Sequence, residues 1–236
     1  MTVFIAGVDL ASQTAQTGLA VLSADSSALR VEQLEVGAHD SAIIEAIRQS
    51  VKTGVDVPLG WPDRFVDLVS AHHAGGPQQC ADWRTEAVLR LTDRVLKEDF
   101  GLRPLSVSTD RIAYPALRWS GIEAQLKLLG IDTARDGSGR ICEVYPAGYL
   151  FRHGLTHRGY KGAAGAQVRE EILRYLRLVM SDEHADLCVA DDNALDAVLA
   201  ALSAHTVVTG KAYGPPEEHR QTALREGWIW MPRTDN

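Results

Sequence analysis

Four aspartates stand where a packed domain gains little from a carboxylate. Asp9 ends the apolar run VFIAGV, and Asp56 lies inside VDVPLG between two valines. Asp192 and Asp196 open the stretch DDNALDAVLAAL. Their spacing of four puts both on one helical face, flanked by Leu195, Val198, Leu199 and Leu202, which need a core to pack against. Buried carboxylates are costly unless paired or metal-bound, and converging ones repel unless cations neutralise them. Donors that are all oxygen suit Mg²⁺ or Mn²⁺. Two such ions about 4 Å apart can activate a water and stabilise the leaving oxygen of a phosphodiester. Taken singly, each acid has a plainer role. Asp192 complements a helix dipole, Asp9 is a turn residue, and Asp56 anchors the loop after its strand. Their order along the chain is what argues for a shared site.

Other polar residues carry two readings each. Glu143 opens EVYPA near the end of a predicted strand, and either reaches the same acids or caps the next helix. Asp191 lies about 100° round the helix from Asp192 and reads as solvent-facing. In RLTD, Arg90 and Asp93 form an i,i+3 pair. As a surface ion pair it is worth little; as a cleft wall, Arg90 holds a phosphate. Asp110 and Arg111 in STDRI either cap a helix or meet substrate. In HRGYKG, Lys161 is a candidate phosphate contact and Tyr160 a residue able to stack on a base. His72, His73 and Cys80 fit no standard zinc spacing and are read as structural.

The elements that must position these groups are legible in outline. At 236 residues and 45% hydrophobic, the chain is read as one domain over 1–236. Residues 3–8 and 18–22 predict a hairpin, and 29–36 alternates like a strand with one wet face. Residues 41–51 have helical spacing with Asp40 as N-cap, and GVDVPLGWP reads as a strand running into a rigid loop. The order is β-β-β-α-β. Residues 62–103 predict a helical insertion, FVDLVSAHHA and EAVLRLTDRVLKEDF around the loop GGPQQ. Further helices are expected in 111–129 after Pro115, in 167–180 and in 191–208, with strands at 140–145 and in the edge segment GWIWMP. HRGYKGAAGA, at 157–166, reads as a mobile loop.

The formal charge of -7 is unevenly spread. Residues 101–178 carry 12 basic and 7 acidic side chains, between two stretches that are each net acidic. That pattern fits an anion-binding face beside a carboxylate cluster, or ordinary solvated charge. Three widely spaced cysteines without a C-x-x-C suggest a reduced, intracellular protein. No leader pattern and no apolar run near the ~20 residues of a membrane span is visible. The expectation is therefore cytoplasmic, without a membrane partner.

Aspartate on the first strand, on the fourth strand and on the last long helix is the order of the ribonuclease H-like fold, whose first and fourth strands are neighbours. The chain resembles that superfamily, and more closely the bacterial domain-of-unknown-function family 429. The matching stretches are GVDLAS with TGLAVL, VDVPLGWP, RLTDRVL, RPLSVSTDRI, EVYPA, HRGYKGA, DDNALDAVLAAL and EGWI, between residues 7 and 229. DAVLAA at 196–201 matches a D-A-x-x-A-like run of the superfamily's last helix. The resemblance implies an α/β fold with a mixed five-stranded sheet flanked by helices. It maps Asp9, Asp56 and Asp196 onto metal positions, with Asp192 a fourth, and implies a Mg²⁺- or Mn²⁺-dependent nuclease or phosphoryl-transfer enzyme. The expected partner is nucleic acid or a small phosphorylated substrate. Two rivals share the core: a non-catalytic binding protein, and an actin- or sugar-kinase-like ATP-binding protein. The second expects glycine where residue 11 is alanine.

Overall fold

β1 (Val3–Asp9) and β2 (Gly18–Ala24) form an antiparallel hairpin, and β3 (Leu29–Val36) extends it outward from β2. After α1 (Asp40–Gln49), β4 (Lys52–Asp56) returns parallel to β1 on its other side. These coordinates are a computed structural model describing residues 2–26, 28–77 and 80–234. The parallel return needs a crossover, and the α1 connection supplies it. In place of Asp40, His39 occupies the N-cap of α1; Asp40 is its first helical residue and pairs with Arg118.

The insertion contains α2 (Asp63–His73), α3 (Trp83–Glu86) and α4 (Leu91–Phe100). Of the expected GGPQQ loop, Gln78 and Gln79 lie outside the described residues. The single helix expected across EAVLRLTDRVLKEDF is instead interrupted before α4, with Arg90 in extended conformation as the N-cap. The reason is local: the Asp93 carboxylate accepts from the Arg90 backbone N–H at 3.0 Å, which starts a new helix. α5 (Ala113–Leu128) begins two residues before Pro115, which a first turn tolerates because that N–H has no partner within the helix.

β5 (Ile141–Glu143) joins β4 in parallel, completing a mixed five-stranded sheet in the order β3-β2-β1-β4-β5. Then come α6 (Pro146–Arg152), α7 (Ala166–Leu176), α8 (Asp182–Ala190) and α9 (Asp192–Val208). α7 stops short of residue 180 because Arg177 turns left-handed, at φ 49°, and Val179 pairs with Arg30 beside β3. After β6 (Ala212–Tyr213) and α10 (Arg220–Glu226), GWIWMP runs past β5, with Ile229 paired to Glu143. It ends as β7 (Met231–Pro232), which pairs with β6 in a second sheet.

Alternation along the strands sends side chains to two faces. Ala6, Val8 and Val55 pack with Ile43, Ile47, Trp119 and Ile122 of α1 and α5. The opposite face receives α9, and that contact is unusually close. A Cβ on Gly7 would lie 2.2 Å from the Ala197 carbonyl oxygen, and one on Gly54 would lie 2.3 Å from that of Ala200. Gly18 of β2 does the same beneath the Asn193 carbonyl oxygen, so bare backbone at three strand positions lets α9, itself alanine-rich there, lie against the sheet. Among the described residues no helix is long and apolar enough to cross a membrane.

Candidate functional site

Gly7 faces Gly54 across the parallel pair β1–β4, and Asp9 faces Asp56 one pleat further on. Because side chains repeat every two residues, the glycines and the aspartates share a face. α9 lies on that face, and Asp196 stands one turn before Ala200. The close approach allowed by the glycines is therefore what brings a helix carboxylate over two strand carboxylates. Both strands carry the tripeptide Gly-Val-Asp, at 7–9 and at 54–56. This repeat is the sequence signal for the arrangement: a seat for the helix, a valine for the other core, and an acid for the site.

Charge in this cleft is out of balance. Asp196 is fully buried, while Asp9 and Asp56 are partly open at the strand ends. Burial raises the Asp9 carboxyl well above its ordinary range, and the charges of Asp196 and Asp56 add to that. Burial likewise raises Asp56, to about 7, against the pull of the Lys161 ammonium. Asp196 is raised by burial too, with Lys161 and Tyr160 opposing the shift. Asp192 sits nearer solvent; its charge reaches both Asp9 and Asp196.

The loop at 157–166, expected to be mobile, is bound onto these acids. The Tyr160 hydroxyl donates to Asp196 Oδ1 at 2.9 Å, and Lys161 Nζ lies 2.7 Å from Asp196 Oδ2. The Gly162 N–H donates to Asp192 Oδ1 at 2.9 Å. Buried Arg169 donates to the carbonyls of Tyr160 and Gly162 and, on the other side, to those of Val189 and Ala190. It thereby ties the loop to the end of α8, just before Asp192. Tyr160 is 1% exposed, so its ring faces the core and not a base. Asp191, expected to face solvent, is the N-cap of α9 and accepts from the Asn193 N–H at 2.8 Å.

Lys161 is the cation that faces these acids. Burial works to lower its pKa, but Asp196, Asp56 and Asp9 together raise it. Its side chain is 56% exposed, so it reaches the acids from the solvent side. Among the described residues no three His, Cys, Asp or Glu side chains are grouped as a ready metal site. The donor set nevertheless fits a hard cation: the acids are all oxygen donors and are held above their usual pKa by burial and one another.

Glu143 goes elsewhere. It is in register with Val55, so it leaves the sheet on the face opposite Asp56. Arg90 grips it with 2.7 Å bonds to both oxygens and holds Asp93 with 2.9 and 3.2 Å bonds. Arg90 and Asp93 are 1% exposed, so this is a buried clamp and neither a surface pair nor a free phosphate ligand. Asp110 caps its own turn, accepting from the Ser106 N–H at 2.7 Å, and Arg111 is exposed. Sequence reasoning passed over Arg103, Tyr145, Arg158 and Arg169. All four lie in the basic middle, and Arg103, Tyr145 and Arg158 line a cavity reaching Asp56 and Lys161.

A family model described as "Protein of unknown function (DUF429)" matches residues 7–220. No curated protein matches the chain, and no solved structure does.

Proposed function

Since the chain belongs to the DUF429 family, we propose a function from its site: metal-dependent cleavage or transfer at a phosphate ester, on a ribonuclease H-like core. The reading of the core rests on the strand order β3-β2-β1-β4-β5, with β1 and β4 adjacent. The observation that carries the function is the in-register pair Asp9 and Asp56 beneath buried Asp196, with Lys161 the cation against them. An excess of carboxylate in a cleft, kept at the expense of mutual repulsion, is the mark of a site built for a positively charged guest.

Asp9, Asp56 and Asp196 would hold Mg²⁺ or Mn²⁺, with Asp192 at the solvent side. Bound there, such ions polarise a water and neutralise the leaving oxygen. The chain's own residues do the rest. Tyr160 fixes the Asp196 carboxylate by its 2.9 Å bond, so this acid cannot turn away. Lys161, on a flexible stem, can exchange its carboxylate contact for a phosphate oxygen. Arg169 orients both by holding the backbone of their loop.

The test is hydrolysis of bis(p-nitrophenyl) phosphate in Mn²⁺, Mg²⁺ or EDTA. Activity should require the metal and fall at least about 100-fold in Asp9→Asn and Asp196→Asn. Equal rates in the wild type and either variant would overturn the reading.

A further inference from the structure

The carboxylates do not account for the cavity beside them. It has a volume of about 520 Å³, within the roughly 300–1,000 Å³ of small-molecule sites. Asp56 and Lys161 lie at one part of its wall, and Leu105, Ile112 and Tyr145 supply apolar surface. Leu105 is 58% exposed, a large apolar side chain left at the surface. Arg103 and Arg158 also line it; both are exposed and have no hydrogen-bond or ion-pair partner among the described residues. A second cavity of about 400 Å³ shares Arg103, Tyr145 and Arg158, so both guanidinium groups stand where the two meet. Arg90 reaches the first cavity too, but its N–H groups are already engaged by Asp93, Glu143 and the Glu226 carbonyl. Cations thus line it in two places, Lys161 paired with Asp196 and the unpartnered Arg103 and Arg158 shared with the second cavity, together with apolar surface.

Cations at two places and apolar side chains in one cavity match the chemistry of one nucleotide unit flanked by phosphates. Resting on the phosphoryl-transfer reading above, we propose that this cavity holds a single nucleotide unit. One phosphate would meet Lys161 beside Asp56, and the base would lie against Leu105, Ile112 and Tyr145. The other phosphate would meet Arg103 and Arg158. The unit comes either as a free nucleotide or as the 5′-phosphorylated end of a strand. A cavity of this size admits one nucleotide and no duplex.

The experiment titrates thymidine 3′,5′-bisphosphate, and 5′-phosphorylated and 5′-hydroxyl hexanucleotides, into wild type, Arg103→Ala/Arg158→Ala and Leu105→Glu. Melting temperature with and without Mn²⁺ is measured on each protein in parallel. Saturable binding of the bisphosphate, weakened about tenfold or more in both variants while the Mn²⁺-induced shift is kept, supports the inference for a free nucleotide. Binding of the 5′-phosphorylated hexanucleotide alone, lost in both variants, supports it for a strand end. No saturable binding of any probe, with the Mn²⁺ shift intact, overturns the cavity assignment and leaves the metal reading standing. Arginine-dependent binding without any Mn²⁺ shift does the reverse. Equal affinity in wild type and the arginine variant also overturns it.

Discussion

Two groups of buried charge lie at the same end of the sheet, and they are built on opposite plans. Around Arg90, every strong group has a partner. The guanidinium spreads its N–H groups over Asp93, Glu143 and the Glu226 carbonyl, and Glu143 also accepts from the Leu59 N–H at 3.0 Å. Around Asp196, three acids share one ammonium that is 56% exposed, and Asp9 and Asp56 accept no hydrogen bond among the described residues. The first group joins the insertion to the sheet: Glu226 accepts from the Leu91 and Asp63 N–H groups, and Thr92 from that of Ile229. The second holds the 157–166 loop onto α9 through Tyr160 and Lys161, yet leaves Asp9 and Asp56 without a hydrogen-bond donor among the described residues. Satisfied charge here does structural work, and the unsatisfied charge is what the proposed function rests on.

Breaking the clamp should give the largest effect. Arg90→Met strands Asp93 and Glu143 without their cation and should cost about 3–5 kcal/mol of stability, read as a lower urea midpoint. Asp9→Asn, at a partly open strand end, should leave metal-free stability unchanged or higher. A loss comparable to that of Arg90→Met would erase the contrast.

Next in size is a pH effect. Asp56 is raised to about 7 in the folded chain, so the folded state holds its proton where the unfolded state has released it. Metal-free stability should therefore fall as pH rises from about 4 to about 7, by on the order of 2 kcal/mol after solvent screening. Asp56→Asn should flatten that slope in thermal melts across the same window. A slope that persists in Asp56→Asn would assign it to other groups.

A smaller effect is expected at the resident cation. Lys161→Met removes the competitor for the acids, so Mn²⁺ should bind about tenfold tighter, close to 1.4 kcal/mol, by calorimetric titration. Weaker Mn²⁺ binding would mean that Lys161 supports the ion and does not stand in for it. Smallest of all, Asp192→Asn keeps an acceptor for the Gly162 N–H. It should change stability by no more than about 0.5 kcal/mol while weakening Mn²⁺ binding, since only the charge is lost.

Much of the sheet could be read along the chain because its signals are local. Period-two alternation marked β3, the apolar run before Asp9 marked β1, and glycine and proline marked the end of β4. Asp9, Asp56 and Asp196 stood out because a carboxylate among valines or alanines needs a reason. The structure brings those three together, with Asp192 beside them. What failed to show were partnerships across long separations. Arg90 and Glu143 are 53 positions apart, and Arg90 and Glu226 are 136 apart. Nothing near Arg90 told its buried clamp from a surface pair. Tyr160 and Lys161 looked like loop residues, because Gly and basic side chains around them are what exposed loops carry. Arg169 lies in the helix expected at 167–180, and nothing in its local sequence marks its buried hold on the loop.

Local sequence did not announce α6, α8, β6 or α10, but it was enough for the order β1-β2-β3-α1-β4 and for the strand ends that carry Asp9 and Asp56. Each is set by neighbouring residues through backbone preference and hydrophobic period. It also held the Gly-Val-Asp repeat, whose meaning depends on two strands 47 residues apart lying in register. Only the tertiary structure decided which charges would be neutralised. Glu143 turned to one face and Asp56 to the other because pairing in register leaves alternate side chains on opposite sides of the sheet. Asp196 reached the strand acids because Gly7, Gly18 and Gly54 let a helix backbone come within contact of the strands. Close packing selects among charges that composition alone makes equivalent, since the cost of a buried carboxylate depends on the few atoms that surround it.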